Sequence, residues 1–107
     1  MGGSGGGGSI FGSVRENASC SEFTFRTQLH SPNPSIVSLI TVGTELELVL
    51  ESQVGPCNAM FHSSIAGTIL YYELLTLIDC MNKGFKYIAI VKSITGGNCS
   101  VIVQAKK

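Results

Sequence analysis

A small α+β barrel, or a strongly curved antiparallel sheet, is the fold class this 107-residue sequence predicts. It should hold about six strands, one longer helix and one short helix. Three observations carry this. Glu45 to Glu51 sets Leu46, Leu48 and Leu50 against Glu45, Glu47 and Val49, the period of two of a half-buried strand. Four apolar runs, Cys57 to His62, Ile65 to Ile69, Lys86 to Ser93 and Cys99 to Ala105, pair off across tight polar breaks as two hairpins. Between those hairpins, Tyr72 to Asn82 places Leu74, Leu77, Ile78 and Met81 on one helical face, widened by Tyr71 and Leu75, and Gly84 is a left-handed stop.

In chain order, residues 1–9 form a Gly/Ser linker with no side chains able to bury apolar surface. Residues 10–21 read as a flexible, polar lead-in, and residues 22–107 as a single barrel-like domain. From Glu22, the alternation of Phe23, Phe25, Thr27 and Leu29 with Thr24, Arg26 and Gln28 describes a strand. Pro32 and Pro34 end it by removing amide donors and holding their predecessors extended. Pro34 then suits the first turn of a short helix, Ser35 to Ile40, with Ile36, Leu39 and Ile40 on one side, and Gly43 releases the chain. Gln53 to Pro56 is a turn, and the second hairpin bends at Thr95-Gly96-Gly97-Asn98. Glu73 and Lys83 at the two ends of the long helix complement its dipole. Apolar residues on both faces of Tyr87 to Val91 mark a central strand.

Seven basic and seven acidic residues cancel, so no whole-molecule field draws the chain to nucleic acid or an anionic membrane. The distribution is uneven. Glu45 to Asp79 holds five acids and no Lys or Arg, whereas Lys83 to Lys107 holds five lysines and no acid. This suits an acidic and a basic face, or lysines that protect strand edges from aggregation. Cys20, Cys57, Cys80 and Cys99 show no C-x-x-C pair and no His at metal spacing, so neither zinc nor any cofactor is expected. An even number permits two disulfides, but Cys57, Cys80 and Cys99 sit in apolar segments where a free thiol serves as a small buried hydrophobe. That reading implies a reducing, cytoplasmic origin. No apolar run reaches the roughly 18 residues a membrane-spanning helix requires.

Val42-Gly43-Thr44-Glu45-Leu46-Glu47-Leu48-Val49-Leu50-Glu51, then Asn58-Ala59-Met60-Phe61, Ile65-Ala66-Gly67-Thr68-Ile69, and a helix ending before a basic strand resemble the HIRAN domain over roughly Val42 to Val103. The resemblance implies a small β-barrel in which Asn58 and Gly67 are structural members. It also implies recognition of the free 3′ end of single-stranded DNA, as some members of that family do. The chain departs from the family pattern in two places. Gln53-Val54-Gly55-Pro56-Cys57 stands where an Asn-Pro-x-Asp segment is usual, and Leu70-Tyr71-Tyr72 where a Pro and a basic residue are frequent.

No catalytic constellation is expected. Cys57 and His62 are separated by five positions, which puts them on opposite faces of a strand. His30 is the other imidazole and stands at a strand end. Glu45, Glu47 and Glu51 share one strand region without a second cluster to complete a metal or acid–base site, and Asp79 falls on the solvated side of the helix. Gly96-Gly97 is a turn and not a phosphate loop, because no Lys-Ser/Thr and no helix follow. For nucleic acid the candidate residues are Arg26, Lys83, Lys86 and Lys92 with the rings of Tyr71 and Tyr72, cations for the backbone and aromatics for the bases. Phe25, Phe85 and Tyr87 are also suitable rings, but a core without Trp needs most of them. The expected function is a non-enzymatic binding or adaptor module for a protein partner, through a strand edge or the helix-flanked face. Such an edge would equally support a homo-oligomer. Single-stranded DNA ends are the alternative ligand, and no membrane partner is expected.

Overall fold

The structure, a computed structural model, describes residues 17–106. The linker and the lead-in up to residue 16 lie outside the described residues. Elements follow in the order α1 (Asn17–Glu22), β1 (Thr24–His30), α2 (Pro34–Val37), β2 (Glu45–Leu50), β3 (Cys57–Phe61), β4 (Ser64–Ile69), α3 (Leu74–Asn82), β5 (Tyr87–Thr95) and β6 (Asn98–Ala105). The strands close into an antiparallel barrel in the order β1-β4-β3-β2-β5-β6, with β6 returning to β1.

Closure depends on β1 dividing its length between two neighbours. Thr24 to Gln28 pair with Gln104 to Ser100 of β6, and then Leu29 and His30 pair with Ile69 and Thr68 of β4. Gly67 makes that change of partner sterically feasible. A Cβ added at Gly67 would stand 2.9 Å from the Leu29 Cβ, so only glycine lets the two backbones approach this closely. The strand alternation read from the sequence fills the interior. Leu46 and Leu48 of β2, Ala59 of β3, Ile69 of β4, Val91 of β5, and Val101 and Val103 of β6 form one buried cluster with Phe25 and Leu29. At the β5–β6 bend Thr95 pairs with Asn98, and Gly96 and Gly97 supply the positive φ values (57° and 90°) that a two-residue hairpin turn demands.

Helix α3 buries Leu77, Ile78 and Cys80 against the barrel and leaves Leu75 and Asp79 exposed. Its C-terminal half is fastened by the Asn82 amide donating to the Gln53 carbonyl at 2.7 Å and by the Cys57 Sγ lying 3.9 Å from the Met81 Sδ. A third fastening corrects the sequence reading. Cys80 is not a free thiol but is bonded to Cys20 of α1, while Cys57 and Cys99 are free and buried. Residues 17–21, expected as part of a loose lead-in, are accordingly helical together with Glu22, and Cys20 is fully buried. The Tyr87 hydroxyl donates to the Cys20 carbonyl, which seats α1 on β5. The long helix also begins two residues later than its periodicity suggests, at Leu74, because Tyr71 is engaged with Phe25 before the helix starts. No helix among the described residues is long and apolar enough to cross a membrane.

Candidate functional site

Two seams of the barrel are short. The first, between β1 and β4, carries only the pairs at Leu29 and His30. It is filled by the chain that leaves β4. The Thr27 hydroxyl donates to the Leu70 carbonyl at 3.1 Å, and Tyr71 stacks face to face on Phe25 with ring centroids 3.9 Å apart and planes 7° from parallel. Tyr72 follows with its ring 4.6 Å from that of Tyr71 and 85% of its surface exposed. Hydrogen bonding with Tyr72 pushes the Tyr71 phenol above its ordinary value, and desolvation adds to the shift.

The second seam, between β2 and β5, runs from Glu45↔Ile90 to Glu47↔Ile88 and stops. Both strands continue. Leu48, Val49 and Leu50 keep their partners on β3, and Tyr87 keeps Ala105 on β6. The direction of the backbone groups follows from neighbouring bonds. The Glu51 amide donates to the Pro56 carbonyl at 3.0 Å, so odd-numbered residues of β2 aim at β3. The Val91 amide donates to the Thr44 carbonyl at 2.9 Å, so even-numbered residues aim at β5. Leu48 and Leu50 therefore turn their amides and carbonyls toward β5, and the Glu47↔Ile88 pair is closed by the Leu48 amide donating to the Tyr87 carbonyl, so the Leu48 carbonyl and both groups of Leu50 lie beyond the last bond of the ladder. Facing them, Tyr87 is turned the same way, its carbonyl taken by the Leu48 amide, since Lys86 is turned toward β6 by the bond from the Lys106 amide to its carbonyl at 2.8 Å.

The result is a cavity of about 280 Å³ in the barrel wall. Leu48, Leu50 and Tyr87 line its depth, and Met81, Gly84 and Phe85 at the C-terminal end of α3 bound one end. Glu47, Val49, Lys86 and Lys106 stand around it, and Glu47, Lys86 and Lys106 are exposed. The cavity does not reach the thiol beneath it. Cys57, paired with Leu50, is fully buried, and desolvation pushes it up to about 12, a value that keeps it protonated and poorly nucleophilic. Burial likewise raises Cys99, and raises Tyr87 to about 12.

In the closed strand order the two seams lie three strands apart in either direction, on opposite sides of the barrel. The residues named from the sequence for nucleic acid are scattered, some at one seam, some at the other and some at neither. Arg26 is exposed on β1, one residue after the Phe25 that carries the Tyr71 stack and on the opposite face of the strand, and Tyr72 packs on Tyr71. Lys86 is at the open seam. Lys92 is exposed where the β5–β6 register shifts between Val91 and Ser93, and Lys83 is ion-paired with Asp79 at 3.1 Å. His30 and His62 are exposed, His62 in the β3–β4 turn at a φ of 56° with the Phe61 ring 4.3 Å away. Glu45 and Glu47 are exposed, and no group of three or more His, Cys, Asp or Glu side chains among the described residues is placed to hold a metal ion.

Asn58 has a structural task. It is 4% exposed, donates to the Glu51 carboxylate at 2.7 Å, and accepts from the Thr68 hydroxyl at 3.1 Å. The open seam itself went unread in the sequence. Its signal there is the delay Lys83-Gly84-Phe85-Lys86 between the end of α3 and the start of β5, while the Leu46-Leu48-Leu50 alternation runs its full length.

Comparison with protein-family models, with curated proteins and with solved structures finds no match for this chain.

Proposed function

We propose that this chain is a non-enzymatic binding module that takes up an extended segment of a partner protein along the open β2–β5 seam. The observation that carries the reading is the end of the ladder just past Glu47↔Ile88, beyond which the Leu48 carbonyl and the Leu50 amide and carbonyl still point toward β5. A peptide that adds as a strand supplies such groups with partners and places alternate side chains in the adjoining cavity. A binding role in preference to a catalytic one is supported by the buried, protonated Cys57 and by the separation of the imidazoles from the thiols. The decisive experiment is amide chemical-shift mapping during titration with short extended peptides of alternating sequence. The expected outcome is perturbation concentrated at Leu48, Leu50 and Tyr87. Perturbation confined to other strands, or none at peptide saturation, would reject the reading.

Recognition of single-stranded DNA ends is the second reading. It is supported by the HIRAN-like sequence pattern on a closed barrel and by the Phe25–Tyr71–Tyr72 series of rings, with Arg26 exposed on the strand that carries Phe25. Rings for bases and cations for phosphates are what a single strand requires. Titration of short labelled oligonucleotides at low and moderate salt tests it, and an absence of salt-dependent binding would remove it. The Cys20–Cys80 bond favours an oxidising compartment over the cytoplasm expected from the sequence, which also weighs toward a protein ligand.

A further inference from the structure

The chemistry of the seam's occupant follows from a charge arrangement on one lip, an inference that rests on the peptide-binding reading above. Lys86 and Lys106 are direct cross-strand partners, one step beyond Tyr87↔Ala105, and the Lys106 amide donates to the Lys86 carbonyl. Like charges placed opposite each other repel. Both side chains are exposed, and neither makes an ion pair with another described residue. Glu47, also on the lip, is the single acid lining the cavity. Two positive charges against one negative leave the lip with an excess of positive charge above a floor of Leu48, Leu50, Phe85 and Tyr87.

We infer that the seam selects an extended peptide in which acidic side chains alternate with apolar ones. Successive side chains of an extended segment point to opposite sides, so one set faces the two lysines while the other enters the apolar floor. The partner's carboxylates offset the Lys86–Lys106 repulsion, and this makes the pairing selective for charge as well as for shape.

The test uses two labelled probes, a short peptide alternating valine with glutamate and its valine–glutamine counterpart, followed by fluorescence anisotropy on the whole chain. The glutamate probe should bind about five- to tenfold more tightly at low salt, as two exposed charge pairs allow. Added salt should shrink this preference. The double variant Lys86→Gln/Lys106→Gln should lose the preference for the glutamate probe. Equal binding of both probes by the wild type, with amide perturbation still centred on Leu48, would overturn the charge inference and leave the seam reading standing. Failure of both probes to perturb the seam would remove that reading and this inference with it. A single-stranded oligonucleotide that bound where the peptides did not, and was lost in the double variant, would overturn the inference by assigning the lysines to phosphate.

Discussion

The β1–β4 and β2–β5 seams begin from the same deficiency, a ladder too short for the strands it joins, and they end differently. At β1–β4 the glycine at position 67 draws the backbones together, the Thr27 hydroxyl takes up the Leu70 carbonyl, and the Tyr71 ring covers Phe25. At β2–β5 the residues that follow the ladder are Leu48, Val49 and Leu50 on one side and Tyr87 and Lys86 on the other, and a cavity remains. A barrel wall thus needs more than a strand count to be continuous. Side chains beyond the end of a ladder decide whether the wall is sealed or left accessible.

The largest effect is expected where α1 is tied to α3, because Cys80 precedes the Met81 that lines the open seam. The two cysteines are 60 residues apart in sequence, and loss of a cross-link closing a loop of that size costs about 2–4 kcal/mol. Urea unfolding of Cys20→Ser/Cys80→Ser, or of the wild type with reductant, should show this loss, and an unchanged midpoint would mean that the bond adds nothing to the fold.

At the sealed seam, Gly67→Ala pushes a methyl group onto Leu29 and should cost about 1–3 kcal/mol by the same measurement. Lys86→Gln at the open seam should stay within about 0.5 kcal/mol of wild type. Similar losses from both would erase the distinction drawn here.

Titration probes how far the cavity extends. Cys57 is raised from an ordinary 9.0 to about 12 by burial, so the folded chain holds this proton after the unfolded chain has released it. The associated stability is complete below pH 9 and declines as pH rises toward 12. By pH 10, one decade above the unfolded value, the decline from this thiol is on the order of 1 kcal/mol. Tyr87, raised from 10.0 to about 12, adds a decline that begins one unit later. Thermal melts across this range should fall less steeply for Cys57→Ala. If native Cys57 reacts readily with a thiol reagent at pH 8, the cavity reaches it and the seam is deeper than described. At the sealed seam, Tyr71→Leu removes the Phe25 stack at a cost of about 0.5–1.5 kcal/mol, still more than the change expected for Lys86→Gln.

Much of the fold was legible because hydrophobic alternation and turn chemistry are local. Leu46-Leu48-Leu50, the Gly96-Gly97 bend and the stop at Gly84 each announce their element within a few residues. Residues 17–22 were not legible, since the helix there exists through distant contacts with Cys80 and Tyr87 that a short polar segment does not advertise. The open seam was hidden for a related reason. Strand composition tells where a strand runs, and not where its ladder with a neighbour ends. Of the nucleic-acid candidates, the sequence offered suitable residue types, but only the strand order reveals that Tyr71 and Lys86 lie on opposite sides of the barrel.

The buried amide of Asn58 has a consequence for folding accuracy. On β3 it alternates with Cys57 and Ala59, both fully enclosed, and its own partners belong to the flanking strands or their ends. Sliding β3 by one position would turn that amide toward the greasy interior and strand it without Glu51 or Thr68. A single polar side chain therefore acts as a key for alignment, rejecting mis-set sheets that hydrophobic patterning alone would tolerate.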